Sequence, residues 1–179
     1  MKEFVAALVI LASACSSYSY QDDLLGDDVA ADLLAMVEAI STPSSLTTLP
    51  APSDQPPTPI TTIYVGGSGG ILAQAIGLEM AHYGFAVVSE AIPRNGSAPD
   101  EGIGVLDVEW TAALHDGNPN TVIAKITAPG SGVMSAGVSW TNARAGAAGS
   151  AADVMVRKTT MTAAQEIAAG LVRQISPQD

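Results

Sequence analysis

The chain has 179 residues, 47% of them hydrophobic, 14% charged and 4% aromatic, with 7 Lys and Arg against 18 Asp and Glu and a formal net charge of −11. That length fits one domain with extensions, and that hydrophobicity can fill a core despite 17 Gly and 11 Pro. The acidity disfavours nucleic acid and charge-driven adhesion to anionic lipid, while a single cysteine excludes an internal disulfide framework and a Cys-rich metal cage.

Met1 to Ala14 opens with Lys2, offset by Glu3, and continues as an apolar run from Phe4. The run suits the h-region of a signal peptide and falls short of the roughly 20 residues a spanning helix needs. It ends in Leu11-Ala-Ser-Ala-Cys15, with small residues where a signal peptidase requires them. This step resembles a bacterial lipobox. The resemblance implies that Cys15 is acylated (palmitate among the chains) and becomes the mature N-terminus. The alternative is an ordinary signal peptide cut at Ala14, which leaves the thiol unexplained. Ser16 after the cysteine implies, by the same resemblance, the outer membrane and its periplasmic face. No other segment has the length of a transmembrane helix, so the lipid is the expected anchor.

Asp27 to Ile40 places apolar residues at 29, 33, 36/37 and 40, the spacing of one helical face, with two aspartates at the positive end of the dipole. Ser41 to Pro59 holds six prolines among Ser and Thr and predicts an extended connector. The divisions expected are therefore residues 1–14 as signal peptide, 15–59 as lipidated terminus, short helix and linker, and 60–179 as a compact body.

Within the body, Ile60 to Val65 is β-branched, and Gly66-Gly-Ser-Gly-Gly70 leads into Ile71 to Tyr83, striped at 72, 75/76, 80 and 83. Gly84 supplies a stop, and Phe85 to Glu90 predicts a second strand parallel to the first. Ile103 to Leu114, Thr121 to Thr127 and Val133 to Thr141 each alternate in period two. Their inward sets are even-numbered, so the first hairpin must pair residues of even sum. A sum of 234, which sets Glu109 opposite Lys125, is expected. Ala143 to Ala152 predicts a mobile loop. Thr162-Ala-Ala-Gln165 resembles a capping box ahead of an apolar face at Ala164, Ile167, Ala168, Leu171 and Ile175. The fold class expected is α/β (α+β): a small βαβ unit followed by an antiparallel β-meander, with flanking N- and C-terminal helices.

Gly66-Gly-Ser-Gly-Gly70 fits G-x-S-x-G between strand and helix, and Ser68, Asp107 and His115 follow the order of a hydrolase triad. Only one strand precedes the serine, however, and Asp107 and His115 sit at opposite ends of one strand, too far apart to bond at about 3.3 Å per residue. A phosphate cradle fits no better, because Leu72 stands where a third glycine belongs and no P-loop Lys follows. His82 and His115 lack metal spacing, and Asp107 with Glu109 reads as a solvated strand face. Trp110 and Trp140 fall on apolar faces and belong to the core. The residues thus predict no catalytic group, no cofactor, no metal and no small-molecule substrate.

Leu72 to Glu90, with its Ala-His-Tyr-Gly84 helix end and Phe-Ala-Val-Val-Ser-Glu90 strand, and Leu106 to Gly117 carry a further resemblance. Together with the lipobox they resemble the TrbH family of conjugal-transfer lipoproteins, over Cys15 to about Asn142. That resemblance implies a structural component of a type IV secretion and mating apparatus, partnered by envelope or secretion-channel proteins, with no catalytic residues. Small outer-membrane lipoproteins that assist flagella or cell-wall synthesis are similar in plan, and a periplasmic serine hydrolase using Ser68 is the third possibility. Two docking surfaces are expected: the edge of the meander and, if that helix leaves the body, the apolar face of residues 162–175.

Overall fold

The computed structural model describes residues 33–37, 39, 41–50, 59–66, 69–89, 102–129 and 132–176. Cys15, Ser68, most of the helix expected from Asp27, and the prolines between 51 and 58 lie outside them. Residues 33–37 and 39 are helical, and Val37 is buried. The chain falls into two units. The larger comprises Ser45–Ala112, Asn118–Asn142 and Lys158–Asp179; the smaller comprises Met1–Ser44, Ala113–Gly117 and Ala143–Arg157.

The larger unit is a mixed α/β structure on one six-stranded sheet. Its elements are β1 (Ser45–Thr48), β2 (Thr62–Val65), α1 (Gly70–His82), β3 (Ala86–Val88), β4 (Ile103–Ala112), β5 (Pro119–Thr127), β6 (Met134–Thr141) and, after the smaller unit's α2 (Ala151–Val156), α3 (Thr160–Ile175). The spatial order is β1-β6-β5-β4-β2-β3. β2 runs parallel to both β3 and β4, and β4, β5, β6 and β1 follow antiparallel. The expected βαβ unit is β2–α1–β3, and the expected meander is β4–β5–β6.

The period-two patterns choose the buried face. Leu106 and Val108 of β4, Val122, Ala124 and Ile126 of β5, and Ala136, Val138 and Trp140 of β6 are all buried in one cluster. Leu72, Ala73, Ile76 and Met80 of α1 and Ala164, Ile167, Ala168, Leu171 and Ile175 of α3 complete it. The α3 residues are those the sequence spacing picked out. They are buried in the body, so the helix does not leave it and the condition for this face to dock a partner is not met.

Five further expectations are corrected. Ser45–Thr48 is a strand inside the expected connector: Leu46 stands opposite Trp140, packs on the core and uses the space left by Gly170, while Thr47 and Thr48 stay exposed. One apolar residue among hydroxyls gives no periodic signal, so the pairing is set by β6. The edge of the meander is thereby covered by β1. In the first hairpin, Asp107 faces Lys125 and Glu109 faces Ile123, a sum of 232. The sum is even, as the apolar faces demand, but a bulge at Thr111/Ala112 takes up a residue before Pro119.

Residues 151 and 152 are not loop but the first turn of α2, whose N-cap Ser150 accepts a hydrogen bond from the Asp153 amide. Finally, α3 begins earlier than Thr162. Its N-cap is Thr159, whose hydroxyl oxygen accepts from the Thr162 amide at 3.3 Å. Thr162 is the third residue of the helix, not its cap.

Candidate functional site

Of the described candidate residues in the larger unit, Asp107 is the one placed at the turn between β2 and α1. Glycine is needed there for two different reasons. Gly70 has φ +55°, the left-handed region that side chains avoid. Gly66 and Gly69 are needed for space. A Cβ on Gly66 would stand 2.7 Å from Asp107 Oδ1, and one on Gly69 would stand 2.5 Å from the Ala73 Cβ and 2.7 Å from that of Val108. The Gly69 carbonyl accepts the Trp110 indole N–H at 3.2 Å, which fixes the turn to β4. The cap of α1 carries no side-chain hydrogen bond, and no acidic residue occupies its first turn.

This turn is poorly suited to an anion. The Asp107 carboxylate lies against Gly66, so a phosphate approaching the backbone there would meet a like charge. Asp107 and Glu109 are both exposed on the outer face of β4, and Lys125 stands opposite Asp107 across the ladder. His82 sits at the exposed end of α1, with Nδ1 3.4 Å from Glu79 Oε2. His115 belongs to the smaller unit, where its ring lies on Gly149 so closely that a Cβ there would overlap it. Among the described residues, no group of three or more His, Cys, Asp or Glu is placed to hold a metal ion, and no helix is long and apolar enough to cross a membrane.

Two polar clusters that sequence patterns did not mark are more highly organised. In the larger unit, fully buried Trp140 donates its indole N–H to Glu166 Oε2 at 2.7 Å, and Lys158 Nζ donates to Glu166 Oε1. Beside them, buried Asn142 donates to the carbonyls of Pro119 and Lys158 at 2.7 and 2.9 Å and accepts from the Lys158 amide at 2.8 Å. This joins the start of β5 to the entry of α3.

In the smaller unit, Asp153 is 2% exposed and its carboxylate accepts from the amides of Ala145 and Gly149 and from Arg157 Nε at 3.0 Å. Burial by itself pushes the Asp153 carboxyl up. The Gly149 amide, the Arg157 side chain, the Ala145 amide and the Arg157 charge together outweigh burial and hold it below the usual carboxylate range. The signals available in sequence were Ser150 three residues before Asp153, and Asp153 four before Arg157. Both clusters bind backbone and helix ends together through several hydrogen bonds each.

No family model and no curated protein matches the chain. Among solved structures, the PelC dodecamer from Paraburkholderia phytofirmans is similar with TM-score 0.43 and 12% identity over 76% of this chain and 99% of that chain. A point variant of the same PelC dodecamer gives 0.44 and 12% over 75% and 99%. Likeness at that level carries no functional argument.

Proposed function

We propose that the chain is an outer-membrane lipoprotein, anchored through Cys15, that serves as a structural component of a conjugative type IV secretion apparatus. The observation that carries this reading is the apolar run from Phe4 ending in Leu11-Ala-Ser-Ala-Cys15, a cut-and-acylate signal placed before the only cysteine. The resemblance of Leu72–Glu90 and Leu106–Gly117 to TrbH lipoproteins supplies the system. The geometry supports an assembly role through an open sheet. Among the described residues its outer strands β1 and β3 pair on one side only, and such edges can accept a further strand. On α1, Ile71 and Leu78 are 70% and 62% exposed on the side away from the buried stripe.

Deletion of the gene, with plasmid transfer, motility and wall integrity measured together, tests the reading. Lost transfer with intact motility and wall is expected. A flagellar or wall defect with unchanged transfer would move the protein to the accessory-lipoprotein class. Ser68→Ala is expected to leave transfer intact, and a folded, correctly localised but inactive Ser68→Ala protein would restore the hydrolase alternative.

A further inference from the structure

The smaller unit holds about a quarter of the described residues, yet it carries five of the eleven large apolar side chains that they leave exposed: Leu34, Met36, Leu114, Val154 and Met155. Leu114 is the extreme case, 98% exposed in the turn that spans residues 113–117. The turn itself is tight, with the Gly117 amide bonded to the Ala113 carbonyl at 3.2 Å and Gly117 at φ +68°. His115, next to Leu114, lies on Gly149, the residue before the N-cap of α2. That helix turns Asp153 inward and presents Val154 and Met155, 47% and 58% exposed. Leu114 and the outer side of α2 are thus parts of one small assembly. Its buried charges cancel, because Asp153 is paired with Arg157.

The course of the chain says which surface lies near. Only eighteen residue steps separate Cys15 from Leu33, at most about 65 Å of extended backbone. Nine residues further on the chain is tied into the smaller unit, where Thr42 and Arg144 exchange both backbone hydrogen bonds at 2.8 and 2.9 Å. A chain held by lipid at Cys15 therefore enters the molecule through the unit that carries the bare leucine. We infer that Leu114, Val154 and Met155 form a lipid-contacting tip that sits in the headgroup boundary of the membrane holding the anchor. The inference rests on the lipoprotein reading and adds a second, non-covalent membrane contact to it.

Form and charge favour lipid over a protein partner. Peptide-binding sites are concave or offer a backbone edge, whereas a leucine exposed on a tight turn projects and is built to enter something soft. The connecting chain carries Asp22, Asp23, Asp27, Asp28, Asp32 and Glu38 and no Lys or Arg. Anionic headgroups would repel it, so the contact works by apolar burial against zwitterionic lipid. Single acyl chains hold proteins weakly, and contacts of this kind fix the orientation of a body that lipid alone leaves free to swing.

The test is photo-crosslinking in intact envelopes, with benzoylphenylalanine introduced at position 114, 155 or, as an exposed polar control, 47. Covalent phospholipid adducts at 114 and 155 and none at 47 are expected, with Leu114→Asp abolishing the adduct at 155. Adducts to protein at 114, or lipid adducts no more frequent than at 47, would overturn the inference. The intact mass of the mature chain reads acylation separately. An unacylated chain with lipid adducts would end the lipoprotein reading while upholding the contact, and an acylated chain without them would end the contact alone.

Discussion

Asp153 keeps its charge while 2% exposed because three donors from one loop and the C-cap of α2 converge on it: the amides of Gly149 and Ala145 and the Arg157 side chain. Arg157 is equally enclosed, its side chain 6% exposed. Removing one partner of such a pair takes from the other buried charge its closest counter-charge, so Asp153→Ala is expected to cost about 3–5 kcal/mol in urea denaturation. The pH dependence has a definite sign. A folded-state value held below the unfolded one, about 3.9, means that the unfolded chain takes up the proton first. The contribution is complete above that value and is lost as pH falls through the folded one. The stability gap between wild type and Asp153→Asn is therefore expected to be constant near neutrality and to shrink below about pH 4. A gap that stayed constant down to pH 2 would mean that the carboxylate is not the group responsible. Glycine requirements separate in the same residue-level way. Gly69→Ala must push against Ala73 and Val108 and is expected to cost more than Gly70→Ala, whose Cβ meets nothing within 4 Å and which bears only the about 1 kcal/mol of a positive φ.

At the scale of elements, two helix-to-backbone fastenings decide where α3 begins and how it sits on β6. The cap at Thr159 satisfies the Thr162 amide, so Thr159→Ala is expected to lower stability by about 1 kcal/mol. Thr162→Ala keeps that amide and changes little. The reverse ranking in thermal unfolding would return the cap to Thr162. Near the other end, Gln174 makes a pair of hydrogen bonds with one residue of β6. Its Oε1 accepts from the Gly137 amide at 3.2 Å and its Nε2 donates to the Gly137 carbonyl at 3.0 Å, while the same Nε2 reaches the Gly170 carbonyl. A side-chain amide here acts as a short stretch of strand. Gln174→Ala is expected to cost about 1–3 kcal/mol, read as faster hydrogen exchange at the Gly137 amide.

These fastenings mark the boundary of what the sequence could reveal. Residues 106, 108, 122, 124, 126, 136, 138 and 140 announce their buried face because each strand is long enough to repeat a period of two, and α3 repeats its apolar stripe over four turns. β1 has a single apolar residue, and its pairing depends on Trp140, far along the chain. The hairpin parity was legible from side-chain faces, but the actual register depended on a bulge that no composition signal marks. Asp153 and Glu166 resemble surface acids in sequence. Their roles arise only when Arg157, Lys158 and Trp140 arrive beside them.

For the whole molecule, the address and the fold are written in different parts of the chain. Among the described residues, the core of the larger unit runs from Ile60 to Ile175, with Leu46 of β1 packed against it. The address proposed for it rests on the first fifteen residues, and the segment from Cys15 to Pro59 holds seven acids and no Lys or Arg. A segment so acidic and so rich in proline does not cling to an anionic surface by charge, so the attachment proposed here works through lipid and apolar contact. Cys15→Ala is therefore expected to abolish fatty-acid labelling and shift the protein out of the outer-membrane fraction. The midpoint of thermal unfolding, measured on the detergent-extracted wild type and on the variant in the same detergent, should agree within about 2–4 °C, the shift that roughly 1 kcal/mol produces in a chain of this size. A large drop in that midpoint would tie the anchor to the fold. Unchanged labelling and fractionation would place the mature N-terminus elsewhere and remove the lipoprotein reading, whereas lost labelling with full retention in the membrane would show that apolar contacts such as the Leu114 tip hold the molecule unaided.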